Sequence, residues 1–250
     1  MSIVVKNVCQ SYGSNKVVEN VSFRLDTGTI NILMGKSGTG KSTILRMLGG
    51  VRPQGVKTPT SGEIYLNDQL CTAHDADTVM VFQRYSNRPD LTVWENVAFP
   101  FTLSLWRSRF KEAEWKAKVE QMLQEVGLAD KAKLYPNQLS GGQNQRVALA
   151  RALVVSPKFL LMDEPFGALD PIIRKSMQEL LLNLLKRHPA TVVMVTHDPL
   201  EATRLGDRIL ILGGKPATIA FNCTQPGLAV EDGLRAVNTA LENDIIRNLT

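Results

Sequence analysis

The sequence of 250 residues predicts an α/β domain built on a mainly parallel sheet, with an N-terminal antiparallel β subdomain and an inserted α-helical subdomain. Three observations carry this expectation. Compact apolar runs at residues 29–34, 159–162, 191–196 and 208–212 alternate with helical stretches, the order that yields parallel strands. A glycine-rich loop stands between the first of these runs and a helix. Residues from about 90 to 155 follow a helical pattern and interrupt the alternation instead of following it.

Taken in order, Ile3-Val4-Val5 and Val17 to Leu25 read as hairpin strands, broken by Tyr12-Gly13-Ser14-Asn15 and Asp26-Thr27-Gly28. Lys41 to Leu48 reads as a helix stopped by Gly49-Gly50. Residues 51–62, rich in Pro, Gly and Thr, make a surface connection, and Glu63 to Leu66 and Val79 to Gln83 read as strands. In the helical stretch, Trp115, Val119, Met122, Leu123 and Val126 form one apolar stripe closed by Gly127. Asp170 with Pro171 starts a helix running to about Arg187, and Asp198 with Pro199 starts a short one ending near Gly206. The tail from about residue 228 reads as a terminal amphipathic helix. The expected organisation is one domain over 1–250: an α/β core of 1–83 and 156–227, the helical subdomain 84–155, and the C-terminal helix 228–250.

Hydrophobic residues at 44% and charged residues at 21% permit a sizeable core and exclude a disordered chain. The net charge of +5 carries no block of five or more basic residues, so it reads as a solvated surface and by itself chooses no partner. Cys9, Cys71 and Cys223 form neither a CxxC pair nor an even framework, which points to a reducing compartment. No run approaches the roughly 18 apolar residues of a spanning helix, so any membrane role is expected to come through a partner.

Gly35-Lys36-Ser37-Gly38-Thr39-Gly40-Lys41-Ser42 fits G-x-x-x-x-G-K-[ST] and lies between a strand and a helix, which makes the core a P-loop NTPase core. Glycines let backbone N–H groups turn around phosphates, and the helix N-terminus adds positive potential. Lys41 reaches the terminal phosphates, Ser42 can ligate Mg²⁺, and Thr43 completes the nucleotide-binding set. Phe159 to Glu164 is an apolar run ending in two carboxylates at the same sheet edge. Asp163 is expected to hold Mg²⁺ directly or through water, and Glu164 to orient and deprotonate the attacking water. An acidic pair alone is more often a helix cap or turn; the phosphate loop reverses those odds.

Leu139-Ser140-Gly141-Gly142-Gln143 precedes the helical run Val147 to Leu153 and offers a second anion site. Either the fold brings both sites to one nucleotide within a monomer, or they meet across a dimer.

Residues 35–42, 139–143 and 159–164 resemble the Walker A, signature and Walker B motifs of ABC ATPases. The resemblance extends to Gln83, to Gly167-Ala168-Leu169-Asp170, to His197 and to Tyr12, and covers roughly residues 3–220. It implies an ATPase in which Tyr12 stacks on adenine, Gln83 joins Ser42 and Asp163 around Mg²⁺, and His197 contacts the γ-phosphate. It further implies a head-to-tail dimer, a homodimer or a pair with another ABC ATPase subunit. There Ser140, Gly141, Gly142 and Gln143 of one subunit complete the ATP site held by Lys41 of the other, and Asp170 lies along the seam. The segment Arg84 to Arg109, with Trp94, Phe99, Phe101 and Trp106, resembles the surface that receives a transporter's coupling helix, although a core place is expected for most of these aromatics. Asn144 in place of a glutamine common after the signature, Gly167 in place of serine, and the linker Ser86-Asn87-Arg88-Pro89-Asp90 depart from the family's pattern.

The function implied is that of a transporter's ATP-hydrolysing subunit, an importer, bound to permease subunits and a solute-binding receptor at the cytoplasmic face of the membrane, with no nucleic-acid partner. An exporter or lipid-transport subunit would carry the same catalytic residues. A soluble ABC ATPase of DNA repair or translation would add coiled coil or a second cassette, and the signature counts against a P-loop kinase. Asp163 to Asp170 and Leu91 to Phe99 look most like importer subunits for nitrate, sulfonate or taurine-like solutes.

Overall fold

The computed structural model describes residues 2–82, 87–224, 235 and 238–243. The chain forms two compact units, one of residues 1–74, 161–164 and 191–250, the other of 75–160 and 165–190.

In the first unit, β1 (Ser2–Tyr12), β2 (Asn15–Asp26), β4 (Ser61–Leu66) and β5 (Gln69–Leu70) form an antiparallel sheet in the order β2-β1-β4-β5. Along the second half of β2, buried and exposed residues alternate, because one face of the sheet covers the core and the other is solvated. The short β5 escapes sequence reading, yet its turn is marked: Asn67 and Asp68 both take positive φ, which these residues tolerate in a tight hairpin.

A larger sheet runs β10 (Thr218–Thr224), β9 (Arg208–Gly213), β3 (Ile30–Met34), β8 (Thr191–Val195) and then the last residues of β7 (Phe159–Asp163). β3 pairs in parallel with both β8 and β9. Every residue of β3 and β8 is buried, which is why these strands read as mainly apolar runs, with only Asn31 and Thr191 polar. β10, antiparallel to β9, is absent from the sequence reading. It is an edge strand that alternates half-buried with exposed residues, so its apolar signal is weak. Among its described residues this unit also holds the helices α1 (Lys41–Leu48) and α7 (Pro199–Leu205).

The second unit holds β6 (Thr78–Val81), the first residues of β7, and α2 (Val93–Ala98), α3 (Ser104–Arg107), α4 (Glu112–Glu125), α5 (Gly141–Leu153) and α6 (Pro171–Arg187). The Asp77 carbonyl accepts from the N–H groups of Lys158 and Phe159 and aligns β6 with β7. β6 ends at Val81, two residues short of the strand expected to reach Gln83, and Phe82 is exposed. On α4 the expected stripe buries Val119, Met122 and Leu123, while Trp115 stacks on Phe101 with ring centroids 5.4 Å apart. Phe101 and Trp106 are core residues; Trp94 and Phe99 are half-buried. Of the tail, residues 238–243 are helical, and the rest of the helix expected over 228–250 lies outside the described residues, apart from residue 235.

Candidate functional site

The loop between β3 and α1 is shaped by contacts that only glycine permits. At Gly35 φ is +144°, and a Cβ there would lie 2.6 Å from the Leu212 carbonyl oxygen. Gly40, in the left-handed region at the N-cap of α1, leaves room for Val17, whose Cγ1 would stand 3.0 Å from a Cβ. Thr39 Oγ1 donates to the Lys36 carbonyl at 2.8 Å and braces the loop from within.

Lys41, the first residue of α1, is buried and folds back over this loop. Its Nζ donates to the carbonyl oxygens of Gly35 and Lys36, each at 2.8 Å. Burial holds the ammonium below the usual lysine range, and the carboxylates of Glu164 and Asp163 offset part of that shift. Ser42 Oγ donates to Asp163 Oδ1 at 3.1 Å, placing a hydroxyl and a carboxylate side by side where β7 ends and α1 begins. These are the hard oxygen donors that Mg²⁺ accepts, one carboxylate with the remaining positions left to phosphate and water, so the residues fit the ion.

Glu164 follows β7 with φ of +46°, a strained conformation for a residue with a side chain, and its N–H donates to the Val195 carbonyl at 3.1 Å. The Glu164 side chain approaches His197, with Oε2 3.4 Å from Nδ1. His197 leaves β8 just before Asp198 caps α7 by accepting from the Leu200 and Glu201 N–H groups, and its side chain is 64% exposed against 24% for Glu164. Together Ser37, Gly38, Gly40, Lys41, Ser42, Thr43, Val17, Glu164 and His197 line a cleft of about 460 Å³.

The fold thus brings together most of the first unit's expected residues. Val17 was missed; no local pattern marks it, because it reaches the loop only through the β1–β2 hairpin. Tyr12 ends β1 and is not among the residues lining the cleft. Gln83 lies outside the described residues.

In the second unit Ser140 caps α5: its Oγ accepts from the Gln143 N–H at 3.3 Å, and Gln143 Oε1 accepts from the Ser140 N–H at 3.0 Å. Ser140 and Gly141 are exposed while Gly142 is buried, where a Cβ would lie 2.8 Å from Ile173 Cγ2. Asp170 caps α6, accepting from the N–H groups of Ile172 and Ile173 at 3.1 and 3.0 Å.

Comparison with known proteins shows what the chain is similar to. The description of the ABC transporter family matches residues 18–167. A sulfate/thiosulfate import ATP-binding protein of Escherichia coli K12 is 43% identical over 215 residues, 85% of this chain and 58% of that protein. A probable sulfate/thiosulfate import ATP-binding protein of Chlorella vulgaris is also 43% identical, over 85% of this chain and 87% of its own. This chain spans only about 60% of the length of bacterial relatives such as that of Rhodopseudomonas palustris. Among solved structures, the dimeric post-hydrolysis state of the ATP-binding cassette MJ0796 bound to ADP and Pi is 33% identical with a TM-score of 0.75, over 90% of this chain and all of that one. A phosphate loop, a hydroxyl–carboxylate pair, a strained acidic turn and a serine-capped helix, set in a sequence this similar, have one reading: the chain belongs to the ABC transporter family.

Proposed function

We propose that this chain is the ATP-binding and ATP-hydrolysing subunit of an ABC importer, dimerising around two ATP molecules and working through membrane subunits. The observation that carries the reading is the pairing, around one cleft, of Ser42 with Asp163 and of Glu164 with His197. The α1 N-terminus and Lys41 hold the β- and γ-phosphates, Lys41 exchanging its two loop carbonyls for phosphate oxygens. Gly35 to Thr43 supply the loop's contacts to the triphosphate, and Tyr12 stacks on the base. Ser42 and Asp163, with Gln83, would hold Mg²⁺, which would supply positive charge to offset that of the phosphates. Glu164 accepts the proton of the attacking water, and His197, exposed at the cleft's rim, contacts the γ-phosphate.

Ser140, Gly141, Gly142 and Gln143 complete the ATP site of a second subunit, with Asp170 along the seam. The solvent-facing Ser140 and Gly141 and the dimeric state of the solved relatives support this. Loss of the γ-phosphate removes shared contacts and releases the pair.

No helix among the described residues is long and apolar enough to cross a membrane. The similarity to import ATP-binding proteins supports a place at the cytoplasmic face, with permease subunits supplying the channel. An apolar pocket of about 320 Å³, which Phe82, Phe99, Leu103 and Trp106 help to line, supports a docking place for a permease helix. The cargo class we favour is a small oxyanion. Sulfate and thiosulfate stand in the names of the relatives, and nitrate, sulfonate and taurine-like solutes fit the runs 91–99 and 163–170. A receptor and the permease choose among them.

Glu164→Gln tests the reading. ATP binding should persist, turnover should fall by about 10²–10⁴-fold, and an ATP-bound dimer should accumulate on size exclusion. Undiminished turnover by a monomer would refute it.

A further inference from the structure

The turn that carries His197 from β8 to α7 is closed by a hydrogen-bonded ring of its own neighbours. Thr196 and Glu201 are buried, at 2% and 4% exposure, whereas the His197 side chain is 64% exposed. An imidazole with so few neighbours is not placed by packing; the backbone on either side of it sets where it reaches. Thr196 Oγ1 donates to Glu201 Oε2 and accepts from the Asp198 N–H at 3.1 Å. Asp198 Oδ1 accepts in return from the Glu201 N–H at 3.3 Å and from the Leu200 N–H at 2.9 Å. The circuit runs from Thr196 to Glu201 to Asp198 and back, and its shortest arc contains His197.

This circuit is a capping box with a relay. In the ordinary box an acid at the third helical position reaches back to the N–H of the capping residue. The chain holds one such box at α2, where the exposed Glu95 accepts directly from the Thr92 N–H at 2.7 Å. Glu201 has the third position in α7 and Asp198 is the cap, but here the Thr196 hydroxyl stands between the carboxyl oxygen and the Asp198 N–H. The relay extends the box two residues toward β8 and brings His197 inside it. Burial of Thr196 and Glu201 also keeps water from competing for the hydroxyl, which strengthens the relay.

The same stretch carries the other half of the site's pair. The Thr196 N–H donates to the Leu33 carbonyl of β3 at 3.3 Å, and the Val195 carbonyl accepts from the Glu164 N–H at 3.1 Å. The ring is thereby anchored to the sheet where Glu164 is also held, so the 3.4 Å approach of Glu164 Oε2 to His197 Nδ1 joins two groups hung from one frame.

We infer that Thr196 and Glu201 are positioning residues for His197: their relayed box fixes the turn 196–198 and with it the reach of the exposed imidazole into the phosphate cleft. The inference rests on the reading of His197 as a γ-phosphate contact. A merely stabilising cap would lower the melting temperature and leave turnover below it unchanged; a positioning device alters turnover, and does so through His197.

The test measures phosphate release by the full chain across an ATP titration, at a temperature where melting curves show the variants folded. Thr196→Val, nearly isosteric but unable to donate or accept, should lower kcat about tenfold and leave KM within about twofold of the parent. Thr196→Ser, which restores the hydroxyl, should keep kcat within about threefold of the parent. Glu201→Leu, which leaves no buried acid behind, should repeat the tenfold loss and carries the test if Thr196→Val does not fold. His197→Ala alone should lower kcat about 100-fold, and Thr196→Val added to it should change kcat by less than about twofold, because the box acts through the imidazole. Parental kcat in either folded Thr196→Val or folded Glu201→Leu, no recovery in Thr196→Ser, or a further tenfold loss in the His197→Ala background would overturn the positioning role. Parental kcat in His197→Ala would instead overturn the reading of His197 on which the inference depends.

Discussion

Ser42 Oγ donates to Asp163 Oδ1 across 3.1 Å, joining the second residue of α1 to the last residue of β7 although 121 positions separate them. On the proposed reading this pair would hold Mg²⁺, so charge at residue 163 should matter more than its shape. Asp163→Asn, nearly isosteric, should lower ATP turnover at least about 100-fold and raise the Mg²⁺ concentration needed for half-maximal rate. Phosphate release measured across a Mg²⁺ titration decides this; an unshifted titration with normal turnover would remove Asp163 from the ion's site.

Lys41 should show a split between binding and stability. Burial lowers its proton affinity in the folded chain relative to the unfolded one, so its charge costs stability below the folded pKa, a cost that shrinks as pH rises toward the ordinary lysine value. Lys41→Met, which removes the charge and keeps the stem, should weaken ATP binding by about 10-fold or more by calorimetry. Its melting temperature at pH 7 should equal or exceed that of the parent. A large drop in melting temperature with intact binding would contradict the assignment.

Asp77 supplies a pH dependence of opposite sign. Burial pushes its carboxyl up, but hydrogen bonds from Arg109 at 2.8 Å and Lys158 at 2.6 Å more than reverse this and hold it below the ordinary value of 3.8. Its contribution is fully present above the ordinary carboxylate range and fades as pH falls through the lowered pKa. Asp77→Asn should melt about 2–4 °C lower than the parent at pH 7, and the gap should close on acidification. Thermal melts at neutral and acid pH would expose a gap that fails to narrow.

Gly142 separates the starts of α5 and α6, with space for a hydrogen and none for a methyl. Gly142→Ala should cost about 1–3 kcal/mol in urea unfolding, because its Cβ would meet Ile173 Cγ2 at 2.8 Å. Ile173→Ala in the same chain should restore part of the loss. Independent, additive effects of the two changes would show that the contact does not govern the spacing.

The local chemistry was legible before any fold was known. Gly35 to Ser42 announces a phosphate loop because only glycine takes its backbone angles, and Ser140, Asp170 and Asp198 announce helix starts because each short side chain caps within three residues of itself. Mainly apolar runs at 30–34 and 191–195 announce strands buried on both faces. Interactions that act over a few residues are written in a few residues.

What the sequence determined alone, then, was the inventory: the loop, the caps, the buried strands and the acids at their ends. Tertiary structure decided which of these meet. The nearness of Glu164 to His197 depends on a left-handed backbone at residue 164 and on the hydrogen bond of its N–H to Val195, and Val17 enters the cleft only through the register of the β1–β2 hairpin. The hydrogen bonds from the Asn87 amide to Asn144 span 57 positions and have no periodic signature. Such contacts are set by strand order, register and packing of the whole chain, quantities that no short window of sequence contains.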